Sequence, residues 1–290
     1  MRYQLEHLLA NGSIQKNKGN IGFLAFCKHL AFAGFGVQKS PMFINRYLGF
    51  FFQWRQYWQN NPNHFSMLSP FDNDPTERSY VSNKIGCAYA DYFAKKLYKA
   101  RFTHSYEDAM VRHGYQVQGE RPDFYCDNLK HQFAVESKGL SKRSVSQNEM
   151  SDHKLQSQRG PIPVNFTVAS VAYDLYRNPK IKFHDPVNDN IEYNNDVNLQ
   201  LRSLYLSAVL EFLELSTTER SRSDYDDYYS FDLDFLWGPV SEFRLLIHRA
   251  IVSKDWMGND WLNDISEIDN DDVDNYGPYI DLDGIGLTRR

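Results

Sequence analysis

The sequence predicts a protein of the α+β or α/β class, with strands and helices interleaved along one chain. Three observations predict it. Two short β-like runs, Pro122 to Asp127 and Gln132 to Ser137, flank an Asp127-Asn128 turn and read as a hairpin. Val164 to Leu175 alternates and is rich in β-branched residues, with Val164, Phe166 and Val168 on one face, so it reads as a third strand. Segments of helical period surround these strands. The clearest runs from Asn198 to Leu215, where Leu201, Leu204, Tyr205, Ala208, Leu210 and Leu213 recur at helical spacings.

The first section, to Ser69, reads as helical. Phe23, Phe26, Leu30 and Phe32 make an apolar face, and Gly34 and Gly36 punctuate it. Ser40-Pro41 then has the form of an N-cap followed by proline at the first helical position, opening a helix through Trp58. Two helices joined by a glycine turn suit either a DNA-reading helix-turn-helix or a helical hairpin over the core. Phe50, Phe51, Phe52 and Trp54 favour the hairpin, being residues to bury rather than to read bases.

Asn60 to Pro70 is a loop, and Asp74-Pro75-Thr76-Glu77 has the form of a capping box. The helix it starts runs through Ile85, Ala88, Tyr92 and Phe93 to about Tyr98, and a shorter one spans Tyr106 to His113 before Gly114. The polar stretch Ser141 to Arg159 enters a short helix around Lys154. Ser241 to Val252 reads as a further helix, and Asp260 to Asp274 as an acidic surface loop. The chain divides accordingly into a helical region over 1–70, a core over 71–180 and a helical, acidic region over 181–290.

Composition narrows the class. The 290 residues are 42% hydrophobic and 24% charged, enough for one large domain or a core with additions. Cys27, Cys87 and Cys126 are scattered, with no C-x-x-C pair, which argues against a disulfide framework or zinc ribbon and for a reducing compartment. Cys27 beside His29 is two residues short of a tetrahedral site. The first twenty residues lack an apolar signal region, and the apolar run from Ile21 to Val37 is short and interrupted by Lys28 and His29. A soluble cytoplasmic protein with no membrane contact is expected. A net charge of −5 argues against a general polyanion binder. Charge is unevenly spread, however: Lys95 to Arg159 holds 12 basic against 8 acidic residues, whereas Ser221 to Arg290 holds 6 against 16. A DNA-binding face is therefore expected on the middle segment.

The chemistry-bearing segment is Arg121-Pro122-Asp123-Phe124-Tyr125 followed by Phe133-Ala134-Val135-Glu136-Ser137-Lys138-Gly139. Glu136 and Lys138 are two apart on a strand and share a face, while Ser137 points away. Asp123, near the start of the preceding strand, is placed to face the same point. Two converging carboxylates hold a hard divalent cation. The neighbouring ammonium orients an attacking water or offsets charge at a reacting phosphorus. The plain alternative is a surface Glu–Lys pair beside a turn Asp, which leaves the apolar bracketing of Glu136 unexplained.

Pro122-Asp123 and Glu136-Ser137-Lys138, with the trailing Gly139, resemble the signature of the PD-(D/E)XK nuclease superfamily over about Tyr106 to Tyr176. The resemblance implies a restriction-endonuclease-like αβββαβ core, a mixed central sheet flanked by helices; the N- and C-terminal additions, read as helical from their own periodicity, are not assigned by it. It implies Asp123, Glu136 and Lys138 as catalytic residues, Mg²⁺ or Mn²⁺ as cofactor, and phosphodiester hydrolysis, usually in DNA. Many members carry another acidic residue on a preceding helix. Glu107 is the first choice for it, as a further metal ligand, and Asp91 the second. Lys154 and Gln158, four apart on the following helix, are candidates for touching the scissile phosphate. By resemblance the chain looks like a restriction or anti-phage effector acting on DNA; an ATPase, helicase or sensor protein is a candidate partner that the sequence does not identify, and a homodimer would serve cuts on two strands. The alternative is a non-catalytic scaffold or nucleic-acid-binding subunit of the same fold. The acidic run Asp264 to Asp274 would, on a third reading, shield the basic middle segment until displaced.

Overall fold

The computed structural model describes residues 1–34, 54–55, 57–58, 63–67, 74–184, 192–215, 220–222, 225–233, 242–255, 258, 260–265, 267–269 and 277–290. Two sheets share one helical layer. The first begins with a hairpin, β1 (Arg2–Leu8) and β2 (Ile14–Asn20), followed by helix α1 (Phe23–Phe32) and the long helix α2 (Pro75–Tyr98). Then come β3 (Phe102–Ser105), α3 (Tyr106–Arg112), β4 (Phe124–Asp127), β5 (Gln132–Gly139), α4 (Gln147–Ser157), β6 (Phe166–Tyr173) and β7 (Lys180–His184). Their seven strands lie in the order β2-β1-β7-β6-β5-β4-β3. β5 and β6 are parallel through the α4 crossover, β1 and β7 are parallel, and the other neighbours are antiparallel. The protein is thus a mixed α and β fold around a mixed central sheet.

The chain continues through α5 (Asn195–Leu215), β8 (Arg220–Arg222), β9 (Tyr228–Asp232), β10 (Phe243–His248), α6 (Arg249–Val252), α7 (Asp260–Asn263), β11 (Ile268–Asp269), β12 (Tyr279–Ile280) and β13 (Ile285–Arg289). These six strands form a second sheet in the order β11-β12-β13-β10-β9-β8.

Local chemistry explains the elements that place the site. Asp74 caps α2 by accepting the Thr76 and Glu77 amides at 2.8 and 3.1 Å, with Pro75 at the first helical position. Ser146 and Glu149 close a full capping box at the start of α4. On β5, Phe133 and Val135 face α2 in the main core, whereas Ala134 packs with Tyr106, Met110 and Leu201 on the other side. Glu136 and Lys138 belong to this second face by strand alternation. Register extends the face sideways: Lys138 stands beside Val171, Val171 beside Lys182, Lys182 beside Glu6, and Glu6 beside Lys16. Helix α4 covers its middle, with Val145 and Met150 against Ala169 and Val171.

Both ends differ from the helical expectation. Residues 2–20 are a hairpin that widens the central sheet. Tyr3 and Leu5 are buried, and Tyr3 meets Tyr89 and Phe93 of α2 edge-on at 6.0 and 5.2 Å. As an exposed edge strand, β2 carries no apolar pattern to read. Of the stretch expected as a helix from Ser241 to Val252, Phe243–His248 is strand β10 and Arg249–Val252 one helical turn, while residue 241 lies outside the described residues. Phe243, Leu245, Leu246 and Ile247 are all buried, and a short apolar run of this kind suits a two-sided strand as well as a helix. The acidic stretch from Asp260 contains α7 and β11, with Trp261, Leu262 and Ile265 buried. Residues 270–274 of it lie outside the described residues. The helix expected from Ser40 lies mostly outside them too, as do Phe50, Phe51 and Phe52, although Trp54, Tyr57 and Trp58 are buried.

The two sheets are joined by charge as well as by apolar contact. Helix α1 is buried on every side, between α2 and strands β12 and β13. Its Lys28 ammonium meets the carboxylates of Asp281 and Asp283 in the β12–β13 turn. Lys95 of α2 reaches the same two carboxylates at 2.5 and 3.0 Å, and the Tyr205 hydroxyl of α5 donates to Asp283 at 2.6 Å. All four charged side chains are essentially inaccessible to water. Burial opposes the Lys95 charge, but the aspartates around it outweigh that effect and hold its pKa well above the ordinary value. Lys95→Met should therefore strand buried carboxylates and lower stability by about 3–5 kcal/mol. Urea unfolding measures this, and a loss under about 1 kcal/mol would show that the cluster holds nothing together.

Candidate active site

Asp123 is the residue before β4, where the regular ladder gives way: its amide donates to the Val135 carbonyl at 3.1 Å. Its carboxylate turns onto β5, where Oδ2 accepts both the Ser137 amide and the Ser137 hydroxyl at 2.8 Å. Oδ1 takes no hydrogen bond from the described residues. Glu136, the neighbouring residue of β5, is fully buried, and neither of its oxygens receives a well-formed hydrogen bond. Lys138 Nζ lies 2.6 Å from Oε1 as an ion pair, off the direction of a good hydrogen bond. Burial first and the Asp123 charge second push the Glu136 pKa from 4.5 up to about 7, against the pull of Lys138. Burial works against the Lys138 charge, yet the Glu136 partner keeps its pKa above the usual lysine value.

The strand is held in place from behind by two glycines. A Cβ on Gly86 of α2 would lie 2.5 Å from the Gly139 nitrogen and the Lys138 carbonyl carbon, and one on Gly139 would lie 1.6 Å from the Ser82 carbonyl oxygen. Helix α2 therefore touches the β5 backbone directly at the Lys138-Gly139 peptide, which fixes where the Lys138 side chain starts.

Asp123, Glu136 and Lys138 come together as the sequence suggests, but the other candidates do not join them. Glu107, in the first turn of α3, makes an exposed ion pair with Arg121. Asp91 is buried in α2, where Thr103 donates to one oxygen and His29 Nδ1 lies 2.6 Å from the other. Burial alone would raise its pKa, but Lys95 and His29 hold it down to about 2. Both acids are thus occupied elsewhere. The Lys154 ammonium donates to the Thr167 carbonyl at 2.6 Å, and burial lowers its pKa to about 7. Gln158 ends α4 exposed.

Three residues near the site were not legible as part of it. Ser137 does point to the far face of β5, with Cys87 Sγ 3.4 Å from its hydroxyl. It nonetheless orients Asp123, because that residue stands off the end of β4. Cys87 is half-buried in α2. His153 of α4 has its imidazole pKa lowered by burial and then by the nearby Lys138 charge. Its one sequence signal, a histidine in the helix after the E-x-K strand, is weak.

Among the described residues no three His, Cys, Asp or Glu side chains converge as a metal-holding group. The donor set is two carboxylates, with three oxygens that take no hydrogen bond from the described residues. That set fits Mg²⁺ or Mn²⁺, since Mg²⁺ is commonly held through one or two carboxylates and keeps several waters. No protein-family model, curated protein or solved structure matches the chain.

Two outcomes follow from this geometry. Gly86→Ala should cost about 1–3 kcal/mol by overpacking and displace Lys138, measurable by urea unfolding and by the Lys138 side-chain resonances. Unchanged stability and resonances would mean that the contact is slack. Glu136 should destabilise the metal-free protein once ionised. Below pH 4.5 it is protonated whether folded or unfolded, and above about 7 it is charged in both states, so stability falls as pH rises between those values. The full effect is about 3 kcal/mol at ~1.4 kcal/mol per pH unit. In EDTA, Glu136→Gln should abolish that slope and be the more stable protein at pH 8. A wild type as stable at pH 8 as the variant would show that Lys138 compensates the Glu136 charge in full.

Proposed function

We propose that this chain is a divalent-metal-dependent nuclease that hydrolyses phosphodiester bonds in DNA, with a restriction-endonuclease-like core. The observation that carries the reading is the Glu136 carboxylate, fully buried beside Asp123, with Lys138 at 2.6 Å as an ion-pair partner and no well-formed hydrogen bond to either oxygen. A buried charge left in that condition is costly, and a cation ligand explains it. The order α2-β3-β4-β5-α4-β6 supports the reading as well. Leaving aside the short α3, it is the αβββαβ succession that the Pro-Asp and Glu-x-Lys resemblance implies, with Pro122-Asp123 leading directly into β4 and Glu136-Ser137-Lys138 on β5, its antiparallel neighbour.

Asp123 Oδ1 and the Glu136 oxygens are the atoms that would hold Mg²⁺ or Mn²⁺. When bound, such a cation supplies Lewis acidity toward a phosphoryl oxygen and an attacking water. Ser137 keeps Asp123 from rotating by occupying its other oxygen twice. Lys138, charged throughout the physiological range, orients the water and offsets the negative charge that develops on the phosphoryl oxygens. A cation held by Glu136 would compete with Lys138 for the same carboxylate, and Lys138 is partly exposed on that face.

The test is cleavage of supercoiled plasmid and linear duplex with Mg²⁺, Mn²⁺ or EDTA. Cutting should need the metal, disappear in Glu136→Ala and fall by about 10²–10³ in Lys138→Ala. Glu107→Ala should retain activity. A chain that cuts nothing and shows no Mn²⁺ binding dependent on Glu136 would be a scaffold, and the nuclease reading would fall.

A further inference from the structure

The groove at the far end of the central sheet has no part in the chemistry above. Two adjoining cavities, about 580 and 220 Å³, share Gln4 and Lys18 as lining residues. The larger is rimmed by Arg2, Lys18 and Arg177, the smaller by Lys16, Lys18 and Lys180. Within a chain of net charge −5 this is a concentration of positive charge. Some of it is neutralised locally: Lys180 lies 3.0 Å from Asp174, and Glu6 lies 3.9 Å from Lys16. Arg2, Lys18 and Arg177 are exposed, and none has a carboxylate within ion-pair distance among the described residues. Arg2 donates to Asn63 Oδ1 at 3.2 Å, a neutral partner, so all three charges stay unneutralised.

Position relates the groove to the site. Lys180 stands in register beside Gln4, and Gln4 beside Lys18, on the same sheet face as Lys138, Val171 and Lys182. From β5 to β2 is four strand spacings, about 19 Å at ~4.8 Å each. One strand of B-form DNA places about six phosphates over that length, at ~3.4 Å per phosphate. Helix α4 covers the sheet between the two places, but the loop entering it is basic. Arg143 is exposed there, and the Lys142 carbonyl accepts the Asp174 amide at 2.9 Å. Asp174 in turn holds Lys180, so the loop abuts the groove.

We infer that this groove, built by the β1–β2 hairpin and the β6–β7 turn, is a second nucleic-acid contact. It takes the phosphate backbone of the DNA several nucleotides from the bond at Glu136. It rests on the nuclease reading for the identity of the polymer. Its contacts are point charges and side-chain amides (Gln4, Asn20, Asn63 and Asn178 line it), so it fixes position and carries no sequence readout. Anchoring away from the scissile bond gives the site leverage on long DNA that a short oligonucleotide cannot supply.

The test uses full-length Glu136→Ala protein, so that binding is read without cleavage. Fluorescein-labelled 30-base-pair duplex and the matching single strand are titrated by anisotropy in Mg²⁺ buffer across a series of NaCl concentrations. Adding Lys18→Ala and Arg177→Ala should weaken binding on the order of 10- to 100-fold at 0.1 M salt. It should also make the log–log salt slope shallower by about 2, at ~0.9 per lost phosphate contact. Arg244→Ala with Arg249→Ala, on β10 and the helical turn after it, removes the same charge and should leave both unchanged. Circular-dichroism melting checks that each variant folds. The inference is overturned if the groove pair leaves affinity and slope intact, if the control pair lowers them equally, or if neither probe binds. The two readings separate cleanly. Groove-dependent binding by a wild-type chain that never cuts would sink the nuclease and keep the groove. Metal-dependent cutting of the 30-mer that ignores the groove pair would do the reverse.

Discussion

Two lysines and two aspartates meet where no water reaches, and the arrangement of helices between the sheets depends on their meeting. Lys28, Lys95, Asp281 and Asp283 come from α1, α2 and the β12–β13 turn, and Tyr205 adds α5. Each ion gave up hydration worth several kcal/mol, so attraction between them is no guarantee of net stability. What the cluster does supply is selection. A one-turn slide of α1 against α2, or a shift of the β12–β13 turn, would leave at least one bare charge in an apolar interior. Backbone amides complete the turn: Leu282 donates to Asp281 at 2.7 Å and Ile285 to Asp283 at 3.0 Å. Gly284, at φ +80°, supplies the backbone conformation that closes it.

Helix α2 carries that constraint to the chemistry. Lys95 and Gly86 are nine residues apart on it, about 13.5 Å at ~1.5 Å per residue. One end of the helix is pinned by ions, and its middle rests on the backbone of Lys138 and Gly139 without a side chain between. A helix so placed cannot shift without moving the strand that bears Glu136. The second sheet, remote from Asp123, thereby helps to set the position of the site through α1 and α2.

The sequence revealed what is local. Alternation placed Glu136 and Lys138 on one face of β5, the hairpin turn brought Asp123 opposite, and capping residues marked the starts of α2 and α4. Contacts between distant residues were not legible. Lys28 looked like a charge interrupting an apolar run, and nothing in the sequence singled out Asp281 and Asp283 within the acid-rich C-terminal section. They meet across 253 and 255 positions of chain. Strand β10 was ambiguous because burial on both faces erases the period that separates strand from helix. The β1–β2 hairpin escaped notice because β2 is polar after Ile14, with no alternation to read, and only tertiary context makes it a strand. Glu107 looked better placed than it is, since sequence proximity to the Pro-Asp strand says nothing of Arg121 capturing it. The pairing of Ser137 with Asp123 broke the alternation rule at the one place where the ladder itself breaks.

Buried charge in this molecule otherwise follows a consistent rule. Asp91 has Thr103 and His29, Asp127 has Arg202 and the Leu129 amide, and Asp281 and Asp283 have two lysines. Among the described residues Glu136 is the buried carboxylate whose oxygens take no proper hydrogen bond. Replacing it by a neutral residue would relieve the fold, so its presence calls for a reason outside folding. Local rules are broken where function requires it, and the surrounding structure absorbs the cost. Here the surroundings are rigid: glycines behind the strand, a doubly bonded Asp123 beside it, and a lysine close enough to restrain the charge without neutralising it. A cation between the two carboxylates would satisfy the oxygens and compete with the lysine for them. The feature that weakens the fold at Glu136 is thus the one on which the metal-dependent reading rests.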